Sequence, residues 1–348
     1  MSTIPDIDEA SRKAAVARQA MLTKPSGALG LLEPLSAWVC AVQGSCPPRA
    51  FSRPALVILA GDHGVARTAG TSAYPPEVTA QMVLNFLAGG AAANVLARMV
   101  GASVKVVDVS VDADPAYAPP DVVRHRIRRG SGSIHCEDAM TREETTASLD
   151  LGDDLAATVI DAQADIVIPG DMGIGNTTPA TTLICILTST DPASAVGRGT
   201  GIDDATLTRK AACISLAIDR GRAFSHEPLG LLAAVGSPDI AAMTGLVLGA
   251  ARRGVPVILD GIVSCAAALV ARQMDPAVVA WMTAGHLSTE PAARVALASL
   301  GLVPVVDLQL RLGEGTGALL ALNALNAAAV TLAEMATFDS AGVSNRDV

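Results

Sequence analysis

The feature that most limits how this chain can fold is a recurrence: a short apolar run, a polar or glycine-rich end, then a stretch of helical periodicity. Ala55 to Leu59 runs into Ala60-Gly61-Asp62-His63-Gly64, Val104 to Val109 contains Asp108, and Ile166 to Ile168 is closed by Pro169 and Gly170 before Asp171. Val255 to Leu259 leads to Asp260-Gly261, Val278 to Met282 to Gly285-His286, and Val303 to Leu308 to Arg311-Leu312-Gly313-Glu314-Gly315. Short apolar runs separated mostly by helices read as strands of an open, mainly parallel six-stranded sheet in an α/β fold. Ligands of such sheets sit in the crevice outside the carboxyl ends of the strands. The polar residues repeated there, Asp62, Asp108, Asp171, Asp260, His286 and Glu314, therefore signal a site.

The rest of the chain fits around that sheet. Residues 7–23 carry helical periodicity, with Ile7, Ala10, Ala14, Ala17 and Met21 on one face, and a second helix is expected from Leu31 to Val42. Both precede the first strand, so they pack outside the main sheet or on a partner subunit. A turn from Ser72 leads into a helix running to Ala97, and residues 148–163 and 318–336 read as further helices. Between 112 and 147 lies an irregular excursion whose Arg124, Arg126, Arg128 and Arg129 read as a solvated edge, offset by Glu143 and Glu144. With 348 residues, half of them hydrophobic, the chain can build a large core. A net charge of -9 and 2% aromatics argue against nucleic-acid binding. Six scattered cysteines without a CxxC pair disfavour a disulfide framework or a zinc ribbon. No long uninterrupted apolar run points to a membrane span, and the N-terminus lacks the apolar core of a signal peptide, so the cytoplasm is expected.

Two glycine turns carry the functional signal. Asp171, Met172, Gly173, Ile174, Gly175 and Asn176 separate a strand from Thr177-Thr178-Pro179, a helix start with threonines to cap it and a proline suited to its first turn. Backbone N–H groups at such a helix start suit a phosphate or carboxylate. The P-loop lysine is missing, and so is the dinucleotide GxGxxG pattern. Gly173 and Gly175 also suit tight packing alone. Asp171, unwelcome beside an anion, is expected to face a sugar hydroxyl or a cationic ring. Gly197-Arg198-Gly199-Thr200-Gly201 is the second turn, and Lys210 in the helix after it is either a second hand on the anion or a solvated lysine. Asp62 and His63 read as backbone caps at a strand end in preference to a metal site. Gln81 could orient a ring nitrogen if it faces the cleft. Glu314, between two glycines, is the candidate general base. An acid that merely stabilises the following helix would have a lowered pKa, whereas a base on an apolar wall would sit above the usual value of about 4.3.

These residues make the chain resemble the nicotinate-nucleotide:dimethylbenzimidazole phosphoribosyltransferases. The likeness runs along nearly its whole length, through KPSGALGLLE (24–33), AGDHGV (60–65), the block from Ser72 to Arg98, GDMGIGNTTPA (170–180), GRGTG (197–201), DGIVSCAAAL (260–269), AGHLSTEP (284–291) and RLGEGTGA (311–318). It implies a Rossmann-like large domain over 51–317, a smaller helical domain from 1–50 and 318–348, and a homodimer. It implies transfer of the 5-phosphoribosyl group from nicotinate mononucleotide to 5,6-dimethylbenzimidazole, with no cofactor or metal and with Glu314 as general base. Asp171 stands where that family more often has Glu, and Ala28 and Leu31 where Ser and Arg are usual. The expected site comprises catalytic Glu314 and Asp171 and, for substrate binding, Ser72, Gln81, Met172, Gly173, Gly175, Asn176, Thr177, Gly199, Gly201, Lys210, Gly313 and Gly315. A related transferase with another acceptor (another benzimidazole, a purine or a phenol) would share every donor motif. A non-catalytic nucleotide sensor would keep the glycine turns without needing Glu314, and an NAD-dependent dehydrogenase is disfavoured by the missing fingerprint.

Overall fold

In the computed structural model, which describes residues 3–345, six strands form one sheet: β1 (Pro54–Gly61), β2 (Ser103–Ser110), β3 (Ile166–Met172), β4 (Val257–Leu259), β5 (Met282–His286) and β6 (Pro304–Val306). Their order is β2-β1-β3-β4-β5-β6, with every neighbouring pair parallel. The chain goes from β1 outward to β2 and then crosses back to β3 on the other side of β1. That reversal is the switch point at which a sheet of this kind opens a crevice. All residues of β1 and β3 are buried, as strands covered by helices on both faces require.

Several boundaries differ from those the sequence suggests. β3 does not stop at Pro169 and Gly170 but continues to Met172. The N–H of Val167 points toward β4, bonding Pro256 O at 3.0 Å, so the missing N–H of Pro169 falls on that same side, where a single registered pair joins β3 to β4. The ladder to β1 runs unbroken through Ile166, Ile168 and Gly170. Val278–Met282 is not a strand: Asp275 caps a 3₁₀ turn over Pro276–Trp281, and the strand begins only at Met282. β6 is shorter than expected. The helix placed at 148–163 starts at Arg142, because Thr141 and Glu144 form a reciprocal capping box. The segment toward Ala97 is two helices, Val78–Leu87 and Ala92–Val100, parted at Gly89-Gly90.

The arginine excursion is only partly solvated. Arg126 reaches the buried Asp108 carboxylate at 2.6 Å, Tyr117 OH donates to the same oxygen at 3.2 Å, and Arg128 pairs with Glu144 at 2.9 Å. Helices Arg142–Asp161 and Pro238–Arg252 cross closely enough that a Cβ on Gly152 would lie 1.9 Å from Ala242 O, and one on Gly245 2.0 Å from Leu149 O. The helix Thr316–Glu334 enters the main core with Leu319, Leu322 and Leu325, while its Leu332 joins a second buried cluster with Ala15, Leu22, Ala37 and Cys40. No uninterrupted apolar run of spanning length occurs, as expected, yet two stretches are long and apolar enough on average. Thr316–Glu334 and the stretch Val78–Val100 both pass by length and composition. The first is a core helix here and the second is broken at its glycines.

Candidate active site

At the switch point, the end of β3 leads through a glycine turn into the helix Thr177–Thr188. Asp171 is 5% exposed; its Oδ2 accepts a hydrogen bond from Asn176 Nδ2 at 2.7 Å and its Oδ1 has no protein partner among the described residues. No side chain caps this helix, contrary to the expectation of a threonine cap, because Asn176 at the cap position is engaged with Asp171. Within the turn Ile174 N donates to Thr79 Oγ1, Asn176 N to Gly173 O and Thr178 N to Gly175 O. The N–H groups of Gly175 and Thr177 have no such acceptor among the described residues. Gly173 is required by packing, since a Cβ there would meet Gly61 O at 2.1 Å; Gly175 is required by its φ of +94° and by Ala66, whose Cβ would lie 2.7 Å away.

The second glycine turn is tied down from three sides. Lys210 is fully buried, not solvated, and its Nζ donates to Thr177 Oγ1 at 2.7 Å and to Gly197 O at 2.9 Å. Burial pulls its pKa down to about 8, against the opposing charge of Glu290. Two of the backbone amides in this turn are already satisfied: Gly199 N donates to Glu290 Oε1 at 2.8 Å and Gly201 N to Arg198 O at 2.9 Å. Arg311 Nη1 donates to Gly199 O at 2.5 Å, and Thr200 Oγ1 accepts from Ala73 N at 2.9 Å and lies 3.2 Å from Ser72 Oγ. The turn thus links the loop at 72–73 to the loop at 311.

Glu314 sits in a run of three left-handed residues, with φ of +81° at Gly313, +62° at Glu314 and +84° at Gly315. A left-handed non-glycine residue costs about 1–2 kcal/mol, and such strain concentrates at functional sites. Its side chain is buried at 4% exposure with Oε2 unpartnered. Burial first, then the nearby Asp260 carboxylate, raise its pKa to about 7, while the backbone N–H of Ala93 at the start of the helix Ala92–Val100 acts the other way. The turn lies on the end of β3: a Cβ on Gly170 would be 2.9 Å from Glu314 O, and one on Gly313 would be 3.0 Å from both carboxylate oxygens of Asp171. Asp171 is itself raised well above the usual carboxylate range by burial and by Asp260, Asp239 and Glu314. Two acids thus share one desolvated wall.

A cleft of about 450 Å³ opens at this edge of the sheet. Of the expected residues, Ser72, Asp171, Gly175, Asn176, Thr177, Gly199 and Gly313 line it. Met172, Gly173, Lys210, Glu314 and Gly315 are buried near those lining residues. Gly201 is exposed and outside the lining, and Gln81 is exposed on the helix Val78–Leu87; the buried polar residue of that helix is Thr79, bonded to Asp62 Oδ1 at 2.6 Å. Asp62 also accepts from Asp112 N at 2.9 Å, in keeping with a capping role. Asp108 is held by Arg126 and Tyr117, away from the cleft. A larger cleft, about 790 Å³, lies beside the helix Glu9–Met21 and contains none of the expected residues.

A family model described as phosphoribosyltransferase matches residues 4–343. The chain belongs to this family. A nicotinate-nucleotide–dimethylbenzimidazole phosphoribosyltransferase of Mycobacterium bovis is 54% identical over 98% of this chain and 94% of that protein. The same enzyme of Mycolicibacterium paratuberculosis is 53% identical over 99% and 98%. Among solved structures, CobT from Thermus thermophilus matches with a TM-score of 0.91 and 42% identity, covering 97% of this chain and all of that one. The fold class and the transferase class read from the sequence therefore stand.

Two polar groups of this phosphoribosyltransferase, Glu290 in the cleft lining and Asp239 buried outside it, escaped the sequence reading. Glu290, which holds Gly199 N, lies four residues after His286, and its position in a helix-opening Glu-Pro was the available signal. Asp239, buried at the start of the helix Pro238–Arg252, faces His63 Nε2 at 3.6 Å. Nothing in local spacing pairs those two residues.

Proposed function

We propose that the protein transfers the 5-phosphoribosyl group of nicotinate mononucleotide to 5,6-dimethylbenzimidazole, giving α-ribazole 5'-phosphate and nicotinate, with Glu314 as general base. The reaction is that named for its relatives. The observation that carries the role of Glu314 is its placement: a strained, buried carboxylate with a free oxygen, near neutrality in pKa, on a turn touching the end of the phosphate-type loop. A base works best when its pKa lies near the working pH.

The donor ring nitrogen is a pyridinium, so the bond to C1' of the ribose breaks with its electron pair returning to that ring, and nicotinate leaves without needing a strong acid. One benzimidazole nitrogen forms the new bond to C1' on the opposite face, inverting the centre. The other nitrogen loses its proton to Glu314. The phosphate is assigned to the N–H groups of Gly175 and Thr177, with the charge of Lys210 behind Thr177 Oγ1. Holding the donor there fixes the attack distance. Asp171 Oδ1, unpartnered at the cleft wall, is assigned to a donor hydroxyl or the ring. A cytoplasmic homodimer is part of this reading. The exposed apolar residues Leu84, Leu87, Val95 and Met99 support a second copy packing on that face.

The test is to incubate the protein with nicotinate mononucleotide and a panel of benzimidazoles, purines and phenols and to weigh the products. A ribotide of dimethylbenzimidazole formed fastest supports the assignment. Faster transfer to another acceptor class redirects it, and no transfer at all leaves the nucleotide-sensor reading.

A further inference from the structure

The strained turn that carries Glu314 does not hold itself. Asp260, at the end of β4, accepts three backbone hydrogen bonds from the residues just after it: Gly315 N to Oδ2 at 3.1 Å, Gly317 N to Oδ1 at 2.8 Å and Ala318 N to Oδ1 at 3.0 Å. These are charge-assisted bonds to the open N–H groups of the helix Thr316–Glu334. Asp260 is 1% exposed and its own N–H is fixed by Ser264 Oγ at 2.8 Å. Behind it stands His286, also 1% exposed, with Nε2 3.6 Å from Asp260 Oδ1 and with its ring so close to Gly317 that a Cβ there would lie 2.0 Å from Cδ2. Neither ring nitrogen has a hydrogen-bond partner among the described residues. The imidazole is thus a wedge packed behind the carboxylate and against Gly317, beside the direct bonds that join Asp260 to the helix start.

We infer that Asp260, backed by His286, is the positioning residue of the catalytic base: its two oxygens clamp the first turn of the last long helix and so hold Glu314 in its left-handed conformation, aimed at the acceptor. A cap needed only for helix stability would accept one or two N–H groups; here a single carboxylate spans both sides of the strained position's exit. The inference rests on the reading of Glu314 as base. The groups that face Glu314 are the carboxylates of Asp171 and Asp260 and the N–H of Ala93, with His286 facing Asp260.

Asp260→Asn keeps the shape but puts an NH2 against one of the donated N–H groups and removes a negative charge beside Glu314. Displacement of a reacting group by about 1 Å can cost about 100-fold, so kcat is expected to fall about 10- to 100-fold while KM for nicotinate mononucleotide stays within about twofold. With a neighbouring negative charge gone, the acid limb of kcat/KM moves to lower pH. A kcat within about twofold of wild type, a donor KM that rises as much as kcat falls, or an unmoved acid limb would each overturn the clamp. Glu314→Gln is measured alongside. If it keeps turnover, the base assignment itself fails; if it is inactive while Asp260→Asn is active, only the clamp fails. Should Asp260→Asn not melt cooperatively, His286→Gln carries the test, since all three bonds to Asp260 remain possible. A lowered kcat at unchanged donor KM supports the wedge, and a wild-type kcat overturns it.

Discussion

Replacing Glu314 by Gln separates the two consequences of burying an acid. The amide keeps the volume of the side chain but cannot take a proton, so the turnover lost should be about 100- to 10,000-fold, the usual contribution of a positioned base, or about 3–5 kcal/mol of barrier. The same burial that tunes the base costs stability. A carboxyl moved from 4.5 to about 7 implies at most about 3.5 kcal/mol at about 1.4 kcal/mol per tenfold change. The sign follows from proton uptake: between those values the folded state binds the proton more tightly, so this stabilising contribution is full below pH 4.5 and is lost as pH rises through about 7. Glu314→Gln should therefore be nearly as stable as wild type at pH 5 and more stable at pH 8, while turning over far more slowly at both. Single-turnover product formation gives the first quantity and calorimetry across pH the second. A variant with a near wild-type rate constant would remove Glu314 from the chemistry. A stability difference that did not widen from pH 5 to 8 would refute the account of its burial.

Gly175→Val combines a positive φ with a 2.7 Å approach to Ala66 and crowds the N–H groups assigned to the phosphate. Its donor KM should rise by about tenfold or more, about 1.4 kcal/mol, with kcat at saturation largely kept; a loss of melting temperature alone would make that glycine a packing residue only. Lys210→Met removes the bonds to Thr177 and Gly197 and should also raise donor KM in steady-state kinetics. Because burial lowers the folded-state pKa of Lys210 from 10.5 to about 8, wild type should gain stability as pH rises across that range, and pH-dependent melting of the variant should lack the gain. Asp108→Asn, which leaves the largely buried Arg126 without its partner, should cost about 3 kcal/mol or more in denaturant unfolding and leave kcat unchanged.

What the sequence made legible was periodic. Apolar runs gave five of the six strands approximate places and met β5 only at Met282, and the polar residues at their ends located the crevice, because a strand buried on both faces has only its ends free for chemistry. Boundaries failed where one residue overrode the pattern. Pro169 looked like a stop, yet its missing N–H faces the side of β3 where little pairing remained to lose. Val278-Val279 looked like strand, yet Asp275-Pro276 sets a tight turn first. Thr141-Arg142-Glu143-Glu144 was a readable capping box and places the helix start six residues before 148. At the site, Glu314 stood out through its flanking glycines. Gln81 did not reach the cleft, because the turn at 72–77 aims Thr79 inward instead. The partners Glu290 and Asp239 were hidden because each meets its target only through tertiary folding, across 91 residues from Gly199 in the first case.

The acid-bearing turn follows β6, the short edge strand, and only the helix Thr316–Glu334 and a small terminal segment come after it in the described chain. On the ribosome the loop at 171–177 is therefore made well before Glu314, so on the proposed assignments a chain arrested in between would carry the phosphate loop without the base. If Glu314 is the base and Asp260 its clamp, as proposed, the chemistry would wait on the docking of the helix Thr316–Glu334 onto Asp260.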